Sequence, residues 1–405
     1  MNTGPAVAPA DKSPDVRLRP KANARALRQG FPWIYANELV TDRRTKALPP
    51  GSLVRLVDDA RHPLGRVAVS PQSKIIARMI DRDPDAVIDA AWFRRRIARA
   101  EDLRKSLYQD PFYRLVNAEA DGLPGIVVDR FGDTLILQPN AAWAENLLAP
   151  LVDALTEVTG AKNILKNAGG RSRALEGLDD IDTVLTGCAP EAPVPVPMNG
   201  AFYMADLVTG QKTGLFFDQR PNHAFAAGLA PRARVLDVFS HVGGFSLACL
   251  AAGAESALAV DASAAALSLA EAGAAVMDVS DRFVTRKGEA FDVMTALADE
   301  QACFDLVICD PPAFAPSRTS LDAGLRAYER VARLAARLVA PEGYLSLCSC
   351  SHAADLGRFR QACVRGIGRA GRAPTLIHTG FAGPDHPQMP QLTETGYLKA
   401  LFFRL

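Results

Sequence analysis

From Arg234 onward, short apolar runs alternate with longer segments in which apolar residues recur every three to four positions. The pattern predicts strands beginning at Arg234, Ser256, Asp281, Phe304 and Gly343, with helices between them, the longest from Leu321 to Leu338. Such alternation builds a parallel sheet with right-handed crossovers, and ligands bind at its carboxyl edge. Two later runs, Thr375–Thr379 and Tyr397–Phe403, complete it. Residues 16–80 read differently: β-branched runs such as Ser52–Val57 and Lys74–Ile80, punctuated by Gly and Pro, predict a small β-rich module. Between the two lies an α+β block. Its elements are a helix from Asp89 to Leu107, strands at Phe112–Val116, Gly125–Val128, Thr134–Leu137 and Lys162–Lys166, and an amphipathic helix from Trp143 to Thr159. The proline-punctuated stretch Gly187–Asn199 favours extended backbone and marks a boundary. The expected division is a disordered tail (1–14), a β-rich domain (15–88), a central α+β domain (89–195) and an α/β domain (196–405).

Composition narrows the picture only locally. With 405 residues, 48% of them hydrophobic, the chain has ample core for two or three domains, and a net charge of +1 gives no global attraction to nucleic acid. The basic residues are instead clustered, at Arg17, Arg19, Lys21, Arg25, Arg28, Arg43, Arg44 and Lys46, and along the helix carrying Arg94, Arg95, Arg96, Arg99 and Arg104. Each cluster is either a solvated face or a surface that meets RNA phosphates. Seven cysteines, an odd number without paired spacing, point to a reducing cytoplasm. No apolar run approaches the length of a membrane helix, and Met1–Pro14 lacks the basic and apolar regions of an export signal, so a cytoplasmic protein without membrane partners is expected.

Chemistry gathers at the expected sheet edge. Gly343–Ser351 reads as a buried strand ending on Cys350, a candidate nucleophile. Cys348 shares its face but lies deeper, and Cys309 faces the other way; both are expected to be packed thiols. Arg234–Phe245 is a strand, a turn containing Gly243 and Gly244, and a helix start, with Asp237 at the strand end. It matches neither the P-loop nor the dinucleotide spacing. Asp261 ends the next strand, where an acid accepts hydrogen bonds from ribose hydroxyls. Asp310 is left at the edge when Pro311-Pro312 stops its strand.

Taken in order, Gln211–Arg220, the Asp237–Phe245 loop, Asp310-Pro-Pro-Ala-Phe314, Cys348-Ser-Cys-Ser351 and Tyr397-Leu-Lys399 resemble class I S-adenosylmethionine-dependent methyltransferases. More narrowly they resemble the large-subunit rRNA cytosine-C5 methyltransferases of the RlmI type. Pro32-Trp-Ile-Tyr35 and Leu64-Gly65 resemble that family's N-terminal PUA domain. The resemblance implies a Rossmann-like methyltransferase sheet with a final antiparallel pair, S-adenosyl-L-methionine as cofactor, and rRNA or a large-subunit precursor as partner. Cys350 and Asp310 become the catalytic pair, Asp310 binding the cytosine. The implied cofactor residues are Gln219, Arg220, Asp237, Phe239, Gly243, Gly244, Asp261, Glu289 and Asp310. Glu289 takes the position near the adenine amine, and Arg220 either pairs with the cofactor carboxylate or bridges domains. Lys212 and Phe314 fall on the substrate side, Phe314 stacking on the base or lying as a lid on the core. Arg94, Arg95 and Arg96 become RNA contacts. No metal is called for.

The chain departs from relatives in three places. Ala313 replaces the second cysteine of other RNA cytosine methyltransferases, a thiol the RlmI type also lacks, Pro341-Glu-Gly-Tyr344 replaces paired glycines, and Ala332 replaces a common asparagine. Competing readings are guanine or uracil methylation of large-subunit rRNA, and a non-catalytic RNA-binding assembly factor. The target nucleotide and the oligomeric state stay open, a homodimer included.

Overall fold

The computed structural model describes residues 14–210 and 214–405; Lys212 and all but the last residue of the expected tail lie outside the described residues. The C-terminal domain is built on a seven-stranded sheet. Numbered within that sheet, its strands are β1 (Arg234–Val238), β2 (Ser256–Asp261), β3 (Phe283–Lys287), β4 (Phe304–Cys309), β5 (Val339–Ser349), β6 (Thr375–Gly380) and β7 (Lys399–Arg404). Their spatial order is β3-β2-β1-β4-β5-β7-β6. The first five run parallel, and β7 is antiparallel to both β5 and β6. Val235 and Leu236 on β1 are buried in separate apolar layers, one on each face, because successive side chains of a strand point opposite ways. Helices cover both faces, which is why the strands read as continuous apolar runs.

Two departures from expectation lie in this domain. The third strand starts at Phe283, since Ser280–Arg282 forms a 3-10 turn that uses up Asp281. The fifth starts at Val339, four residues early, and shifts register before Tyr344, with Glu342 in the shifted stretch taking φ +63°, a conformation that favours glycine. An ion pair with Arg404 at 2.6 Å holds the Glu342 side chain. Ala332 has a packing reason as well. Helix Leu356–Arg369 crosses helix Leu321–Arg337 at Gly366, whose missing Cβ would sit 2.8 Å from the Ala332 Cβ, so a larger residue at 332 has no room.

The Pro193–Pro197 stretch is extended but also paired: Val194–Met198 forms a hairpin with Ala201–Ala205, and both strands bury side chains in the C-terminal core. The central domain carries a five-stranded sheet in the order Thr183–Thr186, Asn163–Lys166, Thr134–Pro139, Ile126–Phe131, Phe112–Asn117. Helix Ala90–Leu107, capped by the Asp89 carboxylate on the Trp92 N–H, packs across it through Phe93, which stacks on Trp143 at 5.9 Å. The expected single helix at 143–159 is two, Ala142–Asn146 and Leu148–Thr159. Pro150 has no N–H to donate to the Asn146 carbonyl, so the ladder breaks there. The N-terminal domain is a five-stranded sheet, Asp15–Arg17, Ser52–Val57, Pro63–Val69, Ile75–Asp81, Trp33–Tyr35, around a small core of Val16, Ile34, Leu56, Val67 and Ile76.

The segment between β6 and β7 ties the three parts together. Its Asp385 accepts from the Arg114 N–H through its carboxylate and from buried Arg104 through its carbonyl, Pro387 accepts from Asn117, and Gln391 donates to the Gln29 carbonyl.

Candidate active site

Asp237 ends β1 fully buried, where its Oδ2 accepts the Ser246 N–H at 2.9 Å from the first turn of helix Gly244–Ala251. Burial raises its carboxyl to about 6. Asp261 at the end of β2 receives the His241 N–H on one oxygen (2.9 Å) and the Ser263 N–H on the other (2.8 Å), so it holds the loop open from below. Phe239 and His241 take positive φ in that loop. Gly243 does too, at φ +79°, a conformation that favours glycine.

The two glycines have different local causes. A Cβ on Gly244 would lie 2.8 Å from the His223 ring, so this glycine is set on that side by the close packing of helix Arg220–Leu229. Of the two readings of Arg220, the geometry favours the bridge between domains. Its guanidinium donates to the Phe112 carbonyl and lies 4.1 Å over the Tyr108 ring, facing the central domain instead of the loop. Glu289 is exposed, capping the start of helix Ala290–Asp299 with backbone alone.

What marks the loop as a ligand site is a concentration of unpaired polar atoms. Among the described residues, Gln219 Nε2, His223 Nδ1, Asp237 Oδ1, Ser240 Oγ and Ser246 Oγ are buried without a hydrogen-bond partner. Buried polar groups are rarely left so, and five along one loop and its flanking helix fit a polar ligand that supplies the missing bonds. S-adenosylmethionine, with its carboxylate, amine and ribose hydroxyls, has the matching donors and acceptors.

At the neighbouring strand ends the thiol region takes shape. β4 and β5 lie side by side with Cys309 opposite Leu347, so Asp310 and Cys350 leave the same edge of adjacent strands. Asp310 is half-buried; burial, then the negative charges of Asp218 and Asp237, lift its carboxyl to about 7, while the Gln219 amide pulls the other way. Cys350 follows the last residue of β5 and is half-buried. Cys348 is sealed in the core, where burial pushes its thiol well up, and Cys309 is buried in the opposite layer.

Phe314 fits the lid reading. Its ring sits 5.0 Å from Tyr328, 6.3 Å from Phe291 and 6.4 Å from Phe239, partly buried against the core. Three residues that no role was assigned to surround the thiol. The Tyr328 hydroxyl hydrogen-bonds the hydroxyls of Ser349 and Ser351, and Ser351 Oγ also accepts the Ala315 N–H at 3.0 Å, coupling the Asp-Pro-Pro segment to the turn after Cys350. The Tyr397 hydroxyl donates to Asp218 at 2.7 Å. Lys399, at the start of β7, donates to the carbonyls of Ser351 and Ala354. Only Tyr397 and Lys399 had a sequence signal, as part of a terminal motif without a stated purpose.

The arginine triplet divides. Arg94 pairs with Glu157 at 2.8 Å; Arg96 pairs with Asp81 at 2.9 Å, donates to the Gly122 carbonyl and lies 3.8 Å over the Trp92 ring. Arg96 thus braces the central domain against the N-terminal one, whereas the Arg94 pair lies within the central domain. Arg95 and Arg99, one turn apart and exposed, line a cavity of about 780 Å³ together with Leu103, Glu119 and Pro387.

Comparison with known proteins fits this architecture. The PUA-like domain profile matches residues 16–82, and the S-adenosylmethionine-dependent methyltransferase profile matches residues 170–404. The chain is 34% identical over 396 residues to the ribosomal RNA large subunit methyltransferase I of Shewanella frigidimarina, covering 96% of this chain and 99% of that one. The chain belongs to the ribosomal RNA large subunit methyltransferase I family. This methyltransferase is also 34% identical over 393 residues to the protein of that name from Aliivibrio fischeri, with 95% and 98% covered. Two solved structures share its fold over 96% of its length and all of theirs: a Streptococcus mutans chain at TM-score 0.81 and 19% identity, and SMU.776 complexed with SAH at 0.82 and 20%. It is thus an S-adenosylmethionine-dependent α/β enzyme with a PUA-like domain in front. Among the described residues, no helix is long and apolar enough to cross a membrane.

Proposed function

We propose that this enzyme methylates carbon 5 of a cytosine in large-subunit ribosomal RNA, in the cytoplasm, through a covalent bond between the base and Cys350. The observation that carries the reading is the pairing of a half-buried thiol and a carboxyl of raised pKa at the ends of adjacent strands, beside a loop rich in unpaired polar atoms. The names of the curated relatives support the rRNA part; the thiol chemistry rests on the residues. Asp237, Ser240 and Gln219 are the cofactor's partners at the loop, with Asp261 placed for the ribose. When bound, S-adenosylmethionine supplies an electrophilic methyl group.

Carbon 5 of cytosine is too weak a nucleophile to take that methyl unaided. The Cys350 thiolate adds to carbon 6, the 5,6 π pair shifts to the 4,5 bond, the 3,4 π pair shifts to ring nitrogen 3, and that nitrogen takes the Asp310 proton. A carboxyl near 7 carries that proton at neutral pH and yields it readily. Carbon 5, now electron-rich, would attack the methyl carbon of a bound cofactor, the thioether leaving with the pair of the broken bond. Loss of its proton to water re-forms the double bond and expels the thiolate, and nitrogen 3 returns its proton to Asp310.

The test is a trapped intermediate. RNA carrying 5-fluorocytosine at the target should form a stable adduct, because after methyl transfer carbon 5 has no proton to lose. Cys350→Ala should abolish adduct and turnover, and Cys348→Ala should keep both. If Cys348→Ala is the dead variant, the nucleophile is misassigned. If neither substitution affects methylation, the chemistry uses no thiol, and guanine methylation by the same fold becomes the better reading.

A further inference from the structure

Lys399 is a buried cation without a carboxylate bonded to it. It is 4% exposed, and its ammonium donates to two neutral carbonyls, Ser351 at 2.7 Å and Ala354 at 2.8 Å. Its backbone lies in register with Ser349, the residue before Cys350. A structural lysine would be expected to reach solvent or a buried acid. The acid that does face it, Asp355, caps helix Leu356–Arg369 and is engaged with the Arg358 N–H and guanidinium.

Tyr328 from helix Leu321–Arg337, Tyr397 from the segment before β7 and Lys399 from β7 all lie close enough to Cys350 to interact with it electrostatically. Burial raises both phenols, so they stay neutral at working pH, and their bonds are already made, Tyr397 donating to Asp218 and Tyr328 bonding Ser349 and Ser351. Lys399 is the one positive group of the three. Asp218, bonded by the Tyr397 hydroxyl, brings a negative charge that opposes a thiolate, and Asp310 adds to it only once it has lost its proton.

Resting on the assignment of Cys350 as nucleophile, we infer that Lys399 is the positioning residue that makes this thiol reactive: its ammonium fixes the turn 351–354 and offsets the charge of the thiolate. An ammonium has three N–H groups, and the two carbonyls take two of them. The thiol proton leaves to water and the lysine keeps its own, so the pair passes from one positive charge to none. Because burial lowers Lys399 to about 8, the effect weakens above that pH as the ammonium is lost.

The experiment uses the full chain without RNA. Cys188 and Cys303, the other cysteines with exposed surface, are replaced by serine, and iodoacetamide labelling of Cys350 is followed by mass spectrometry from pH 5 to 10. The midpoint for the wild-type lysine should lie at least about one unit below the free-thiol value of roughly 8.5. Lys399→Gln keeps hydrogen-bond donors but no charge, and should raise the midpoint by about one unit, slowing labelling roughly tenfold at pH 7. Lys399→Arg should restore most of it. In turnover, Lys399→Gln should lower kcat with KM for RNA unchanged and move the acid limb of the pH profile upward. A wild-type midpoint at or above the free-thiol value overturns the inference without any variant. So does an unchanged midpoint in folded Lys399→Gln. Loss of the nucleophile assignment itself would show separately, as methylation surviving Cys350→Ala.

Discussion

Arg104→Met is the substitution with the largest consequence expected away from the site. The Arg104 side chain is fully buried and makes five hydrogen bonds: both oxygens of Asp121 (2.7 and 2.8 Å), the Arg114 carbonyl (2.9 Å), the Asp385 carbonyl (2.8 Å) and the Ala100 carbonyl (3.5 Å). Adding a value for each bond would overcount, because the unfolded chain bonds the same groups to water. The controlling quantity is what remains: the Asp121 carboxylate, 7% exposed, keeps only the Asn117 N–H. Stranding one partner of a buried pair costs about 3–5 kcal/mol. All three tryptophans, Trp33, Trp92 and Trp143, precede residue 196, so urea unfolding followed by tryptophan fluorescence reports the first two domains directly. Asp121→Asn added to Arg104→Met should recover part of the loss, since no charge is then stranded. Proteolysis should also speed up within 381–398, whose anchor is removed. A loss under about 1 kcal/mol for Arg104→Met would refute the reasoning, because it would mean water reaches Asp121.

Three further outcomes follow from the site and its surroundings. Replacing Arg95 and Arg99 by glutamine should weaken RNA binding and flatten its salt dependence, whereas Arg94→Gln should leave the salt slope unchanged; equal slopes for all would assign the groove to solvent. Asp310, whose carboxyl is raised in the folded state to about 7 from an ordinary value near 4, binds a proton that the unfolded chain has lost, so stability from this group falls as pH rises between those values. Asp310→Asn should therefore flatten the dependence of Tm on pH across that window and be more stable by about 1–2 kcal/mol at pH 8, after discount for its partial exposure; a less stable variant would contradict this. Gly244→Val should lower Tm through its clash with His223 before cofactor affinity can be read, and His223→Ala in the same chain should restore part of the Tm. If calorimetry finds a fully folded Gly244→Val, the packing explanation fails.

The strand ends were legible because the residues that terminate strands, Asp261 and Asp310 with its prolines, are also those that remain at the ligand edge. Cys348 and Cys350 were separable by depth alone, since a two-residue step along β5 takes the side chain from core to rim. Partnerships across the chain were not legible. Arg94 and Arg96 look like free cations in a basic helix, yet their partners Glu157 and Asp81 lie on other elements. Arg220 was left between two readings, and only the approach of Tyr108 and Phe112 decides it. Lys399 stood out only as part of a terminal motif, and its burial comes from β7 inserting beside β5 instead of extending the sheet at its edge.

That insertion sets an order of assembly. β7 is made after both of its neighbours, so β5 and β6 exist first with a vacant slot between them, and the slot is filled only once synthesis has passed residue 404. Until then the turn after Cys350 has no lysine to fix it, and the segment that docks on Arg104, Asn117 and Gln29 is not yet anchored at its far end. A growing chain thus carries Cys350 without the Lys399 bonds to its turn, and the strand that brings them also anchors the far end of the segment tying the three domains together.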